Sequence, residues 1–382
     1  MGTCNSTNKS YNIRLKKGTD SITVPAIHEG SILSAIKLDN SSVATCSDDT
    51  NIAILNVDSL LSSRTIKPLY FTGHKKAVNR LASTSQSLWS VSRDLSLRQW
   101  DIATGENLQT IEDAHSLNVA AVAINSTTNS IIFSGSRDYS VKGWDVITGK
   151  CKVEFKSPRN IVTAMECSPT DEFVLFQASE DLCIRVWDVR NSSNQPAQQL
   201  SGYIYFPICM DMHNDGMMLA TGCKGFDMVG CDVKIWDIRQ PSKFLCELKG
   251  HGQDVTACRY FQLENTTILI SASKDGSVIA WINPSAAVKE NNNNKVVYNV
   301  GRCVTSIVIL PMDLSSSLPP STTTSNLSPK KHYGRGCRVV VTSNDGSIQF
   351  LTLSTPLDGF DVWQFNHIFA TSEYLSSSMT DN

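Results

Sequence analysis

No stretch of this 382-residue chain approaches the roughly 18 consecutive apolar residues of a membrane-spanning helix. Its first residues lack the apolar core of a secretory signal, which points to a cytosolic setting. Charge of one sign is scarce: the formal net charge is −2, so no global basic field invites nucleic acid. None of the 12 cysteines forms a C-x-x-C pair, so a zinc ribbon is not expected and the thiols are expected to be reduced. There is no G-x-S-x-G elbow and no Gly-rich loop followed by Lys and Ser/Thr, which removes the common hydrolase and phosphate-loop signatures. Neither metal, cofactor nor small-molecule substrate is expected.

What the chain has is repetition. SGSRDYSVKGWD at Ser134–Asp145 returns as SVSRDLSLRQWD ending at Asp101, QASEDLCIRVWD ending at Asp188 and SASKDGSVIAWI ending at Ile282. Each copy has an Asp six residues before a Trp, with apolar and polar residues alternating between them as in a half-buried strand. Aligned on the Trp, the copies fall at Leu55, Trp100, Trp144, Trp187, Trp236, Trp281 and Leu351. A spacing of about 40–45 residues with Trp-Asp at a strand end marks a β-propeller. The fold class is therefore all-β: a seven-bladed β-propeller of four-stranded antiparallel blades over residues 21–370. Residues 1–20 and 371–382 read as flexible tails. The longer last step is filled by 311–336, rich in Ser, Thr and Pro, which reads as a disordered insert.

These motifs resemble the WD40-repeat family. The resemblance implies a hydrogen-bonded tetrad within a blade, carried here by His74, Ser90, Asp94 and Trp100; by His115, Ser134, Asp138 and Trp144; and by His251, Ser271, Asp275 and Trp281. Blade 1 keeps His28, Thr45 and Asp49 but has Leu55 for Trp. Blade 4 keeps Asp181 and Trp187 with Gln177 at the Ser position, blade 5 keeps Thr221 and Trp236, and blade 7 keeps only Asp345. His and Asp look catalytic on paper. A buried Asp needs donors, however, and a buried indole needs an acceptor, so the tetrads read as structural.

Function is then expected where the pattern breaks. Blade 5 has Gly230 where the Asp belongs, in a lengthened hairpin, CKGFDMVGCD, that sets Lys224, Phe226 and Met228 in a turn facing water. The residues just before the turn Asp are Asp48, Arg93, Arg137, Glu180, Lys274 and Asn344. In the family they point to the same face, and with Lys75 and Lys76 they offer cations to an acidic peptide or phosphate, although mixed signs make solvation the plainer reading. MGTCNS fits an N-myristoylation pattern with Gly2 as acceptor and Cys4 as a palmitoylation candidate, hence peripheral membrane attachment. For ring closure, Ser21–Ile27 is favoured over Asp361–Phe369 as the strand completing the last blade. The expected function is a non-enzymatic scaffold that binds proteins or peptides. A trafficking role of the ciliary kind is implied by resemblance to one family member over residues 157–188 and 225–240. The alternative is a hydrolase or lyase with a central-channel site. It requires unpaired carboxylates or His on the inner strands, and Val78–Leu81 and Val119–Ala123 supply none.

Overall fold

The structure is a computed structural model that describes residues 11–12, 14–15, 22–24, 26–63, 65–124, 130–156, 161–191, 194–263, 266–284, 295–312, 336–354 and 364–371. Seven blades follow one another, each with four antiparallel strands begun by an inner strand: Ile32–Lys37, Val78–Ser83, Val119–Ile124, Val162–Cys167, Pro207–Met212, Val255–Leu263 and Val304–Pro311. The blades are numbered 1 to 7 in that order. Six blades have four strands and the seventh is enlarged. Among the described residues the one helix is Val57–Ser63, opened by Asn56, whose side-chain oxygen accepts the Ser59 N–H at 2.8 Å.

Burial follows strand position. The second strands are the most buried: Ser87–Ser92 is buried at every residue and the others at all but one or two, because neighbouring blades cover both of their faces. Outer strands such as Cys151–Lys156 are largely exposed. The apolar residues form seven clusters, and each joins two adjacent blades. The cluster at the ends of the ring packs Ile32, Val43 and Leu55 of blade 1 against Val308, Val340 and Phe350 of blade 7. The ring is therefore closed by side-chain packing, with the facing sides of blades 1 and 7 covering each other.

The favoured closing strand is corrected. Gln364–Thr371 pairs antiparallel with Ile348–Ser354 and is the fourth strand of blade 7. Ile22–Val24 lies outside it, paired in parallel, and Arg14–Leu15 adds a further strand. The C-terminal segment follows its partner through a short connection, while the N-terminal segment arrives later at the edge that remains. Within the span read as a tail, Tyr11–Asn12 also pairs with Thr65–Ile66. The chain leaves blade 7 at Pro311 and returns at Gly336; residues 313–335 of the insert lie outside the described residues, as do Gly2, Cys4 and 372–382.

Candidate functional site

The tetrads come together in blades 2 and 3. Trp100 Nε1 donates to Ser90 Oγ at 2.8 Å, Ser90 Oγ meets His74 Nε2 at 2.7 Å, and His74 Nδ1 meets Asp94 Oδ2 at 2.9 Å. The blade 3 distances are 2.8, 2.7 and 3.0 Å for Trp144, Ser134, His115 and Asp138. With the Ser hydroxyl donating to Nε2, the proton sits on Nδ1 and points at the carboxylate. Burial works against the charged form of Asp94 and Asp138. Bonds from His and Ser nevertheless hold both carboxyls well below the usual carboxylate range. Each acceptor is used inside the blade, so these groups are fasteners.

Blade 6 departs from the expected tetrad. His251 Nδ1 meets Ser277 Oγ at 2.6 Å, and Ser277 donates to Asp275 Oδ1 at 2.5 Å, so a serine relays the contact between His251 and Asp275. Ser96 and Ser140 donate to Asp94 and Asp138 in the same way. The signal was present in the sequence as a Ser two residues after the Asp. The incomplete blades find substitutes. Gln177 Oε1 accepts from Trp187 Nε1 at 2.6 Å in blade 4. Tyr203, four residues before its inner strand as the histidines are, bonds Thr221 Oγ1 at 3.0 Å in blade 5. Arg302 reaches Asp345 Oδ2 at 2.5 Å in blade 7.

Five candidates meet at one place. Arg93, Arg137, Glu180, Lys224 and Lys274 line a single cavity of about 410 Å³ at the mouth of the central channel. Asp48 and Asn344 do not line it; Asp48 pairs with Arg93 from outside at 3.4 Å. Because Arg80 also joins, five basic side chains face two carboxylates, Glu180 and Asp254. Lys274 uses Asp254 at 2.7 Å, and Lys224 rides over the Phe206 ring at 5.0 Å. Among the described residues no carboxylate pairs with Arg137. The mouth is thus net basic, unlike the mixed-sign surface expected from sequence.

Phe226 and Met228 do not line this cavity. They stand on the hairpin tip that follows Lys224, each 74% exposed, with Val229 next to them exposed as well and the exposed Tyr205 ring against Gly230 of the same loop. The tip is tight: Phe226 and Val229 exchange backbone bonds at 3.1 and 3.0 Å, with Asp227 and Met228 at φ 52° and 65°. That turn favours Asn-Gly. A left-handed Met costs about 1–2 kcal/mol. Gly230 is explained by contact, since at φ 74° a Cβ there would collide with the Tyr205 ring. Blade 6 anchors the loop, through Gly252 O to the Met228 N–H and Asp254 Oδ1 to the Gly225 N–H.

Deeper in the channel is a feature that the sequence reading missed. The fifth residue of each inner strand faces the axis, and in blades 4 to 6 this residue is Glu166, Asp211 and Arg259. Inner strands therefore do carry carboxylates, contrary to the reading drawn from blades 2 and 3. Asp211 accepts the Tyr260 N–H at 2.7 Å and lies 3.4 Å from Arg259. Enclosure by the channel walls, then the nearby Asp211 charge, push Glu166 up to about 8, against the pull of Arg259. No group of three or more His, Cys, Asp or Glu suited to a metal occurs among the described residues.

Comparison with known proteins places the repeats. The WD domain, G-beta repeat family model matches residues 105–145, 149–188 and 242–281. Each match runs from near the outer strand of one blade to the Trp strand of the next, so the sequence repeat is offset from the structural blade. A stretch of 53 residues is 38% identical to part of Protein DSE1 of Eremothecium gossypii, covering 14% of this chain and 9% of that protein. The chain is a seven-bladed propeller containing three WD40 repeats recognised by the family model, a fold consistent with a protein-interaction scaffold.

Proposed function

We propose that this propeller is a scaffold that docks an acidic segment of a partner protein on the mouth of its channel. The observation that carries this reading is the convergence of Arg93, Arg137, Lys224 and Lys274 on one cavity beside the exposed Phe226–Met228 tip. Such a surface suits a carboxylate or phosphate followed by an apolar residue. The cations, Arg137 above all, bind the charge with charge-assisted hydrogen bonds. Phe226 and Met228 present apolar area that costs strain to display, as a binding anchor does. The reading also takes the protein to be cytoplasmic, held at membranes by a lipid on Gly2 with help from Cys4, and to serve trafficking. Loss of membrane association in Gly2→Ala tests the lipid separately from docking.

Partner capture by proximity labelling tests the docking itself. Arg137→Glu with Arg93→Glu is expected to lose the partners that wild type labels, and Phe226→Ser with Met228→Ser to lose the same set. An unchanged set in both variants overturns the reading. Glu166 favours a second reading, in which a channel acid protonated near neutral pH serves hydrolysis. That reading needs a hydrolytic activity on ester or phosphate substrates that Glu166→Gln abolishes.

A further inference from the structure

Cys209 and Cys258 occupy neighbouring inner strands, Pro207–Met212 of blade 5 and Val255–Leu263 of blade 6. Their sulfurs are 3.8 Å apart across the junction between the blades. A disulfide needs about 2.0 Å, so side-chain rotation has less than about 2 Å to close. The two thiols differ in access. Cys209 lines the central channel, within a cavity of about 320 Å³, whereas Cys258 is fully buried and does not line it. Their surroundings differ too. Burial opposes ionisation of Cys209, yet the Cys258 hydrogen bond and the Arg259 and Arg80 guanidiniums bring its thiol below the ordinary value. The hydrogen bond with Cys209, followed by burial, holds Cys258 well above it.

We propose that Cys209 and Cys258 form a peroxide-sensitive dithiol whose disulfide staples blade 5 to blade 6. The Cys209 thiolate sulfur attacks one oxygen of hydrogen peroxide. The O–O bond breaks, and the departing hydroxide takes up the thiol proton as water, leaving a sulfenic acid. The Cys258 sulfur then attacks the sulfenic sulfur. The S–S bond forms, the S–O bond breaks, and hydroxide leaves with the Cys258 proton as a second water. Two electrons pass from the sulfurs to the peroxide, and a dithiol reductant reverses the step. A channel-lining thiol of lowered pKa with a more deeply buried partner in reach is the arrangement of an attacking and a resolving cysteine. The staple would join the two blades that hold the Phe226–Met228 loop, through the Gly252 and Asp254 contacts. The dithiol itself does not depend on what docks there.

The test is thiol mapping of the full-length wild-type protein. Hydrogen peroxide is raised until the exposed Cys151 is oxidised. The remaining thiols are alkylated in denaturant, and the unreduced digest is analysed by mass spectrometry. The expected result is one linked species of the Cys209 and Cys258 peptides, formed at lower peroxide than any change at Cys151. It should come with an upward Tm shift that dithiothreitol reverses. In Cys258→Ser the linked species is lost and Cys209 is trapped by dimedone as the sulfenic acid. Recovery of both peptides alkylated, with Cys151 already oxidised, overturns the proposal; this arm uses wild type and does not depend on the variant folding.

Discussion

Phe155 of blade 3 lies flat on Trp187 of blade 4, ring centroids 4.5 Å apart and planes 18° from parallel. Blade 4 has no tetrad histidine among its described residues, so this stacking and the Gln177 bond hold its tryptophan. Phe155→Ala is expected to cost about 3–5 kcal/mol, as truncation of a buried aromatic does. Gln177→Ala leaves the buried Trp187 N–H without its acceptor and costs about 1–3 kcal/mol. Urea midpoints measure both. Losses below half a kcal/mol would place the blade 3–4 junction elsewhere.

Burial, with Lys295 nearby, lowers His251 to about 4 against the pull of Asp275. The unfolded chain takes up this proton near pH 6.5 and the folded chain only near 4. Stability from the neutral ring is thus present above about pH 6.5 and is lost as pH falls toward 4. Urea titrations between those limits are expected to show a falling midpoint in wild type and a flatter one in His251→Gln. Equal slopes would show that His251 is not the group that titrates.

The residue after the turn Asp is left-handed in several blades: Thr50 at φ 72°, Leu95 at 74°, Tyr139 at 67° and Leu182 at 67°. Glycine holds the place at Gly276 and Gly346. Leu182 is partly exposed, so little packing is lost on replacing it. Leu182→Gly is expected to stabilise by about 0.5–1 kcal/mol, as relief of left-handed strain outweighs the freedom glycine adds to the unfolded chain. A lower Tm for the variant would count against this.

The two candidate closing segments predict different truncations. Removing 361–382 deletes the fourth strand of blade 7 and opens the edge of Ile348–Ser354. It should lower Tm sharply and promote association through that edge. Removing 1–25 deletes the parallel strand outside it and the two-residue pairings of Tyr11–Asn12 and Arg14–Leu15, leaves the four antiparallel strands of blade 7 in place, and should cost much less. The reverse ranking would restore Ser21–Ile27 as the closing strand.

The ring was legible because its unit is periodic in the residues that packing requires: an apolar alternation, a turn Asp and an indole with an acceptor. Blade number and the tetrads of blades 2 and 3 follow from that. Substitutes were harder to see. Tyr203, Arg302 and Ser277 meet the same hydrogen-bonding need with other chemistry or from a shifted position, so matching by residue type passes over them. The channel charges hide for another reason. Glu166, Asp211 and Arg259 recur at one position of three successive inner strands, and only closure of the ring brings such positions around a single axis. Closure likewise turned scattered cations of mixed-sign turns into one basic mouth, since Asp48 stays outside the cavity, paired with Arg93, while Arg80 and Lys224 line it.

Blade 7 gives the ring a mechanical character. Ile22–Val24, near the start of the chain, and Gln364–Thr371, near its end, run side by side in the same direction. A pull on the entering and leaving ends draws these strands past each other and loads their hydrogen bonds together in shear, where an antiparallel clasp would unzip one bond at a time. Tension applied to the protein from its two ends is thus resisted in shear at blade 7, once the two-residue pairings of Tyr11–Asn12 and Arg14–Leu15 that precede Ile22–Val24 have given way.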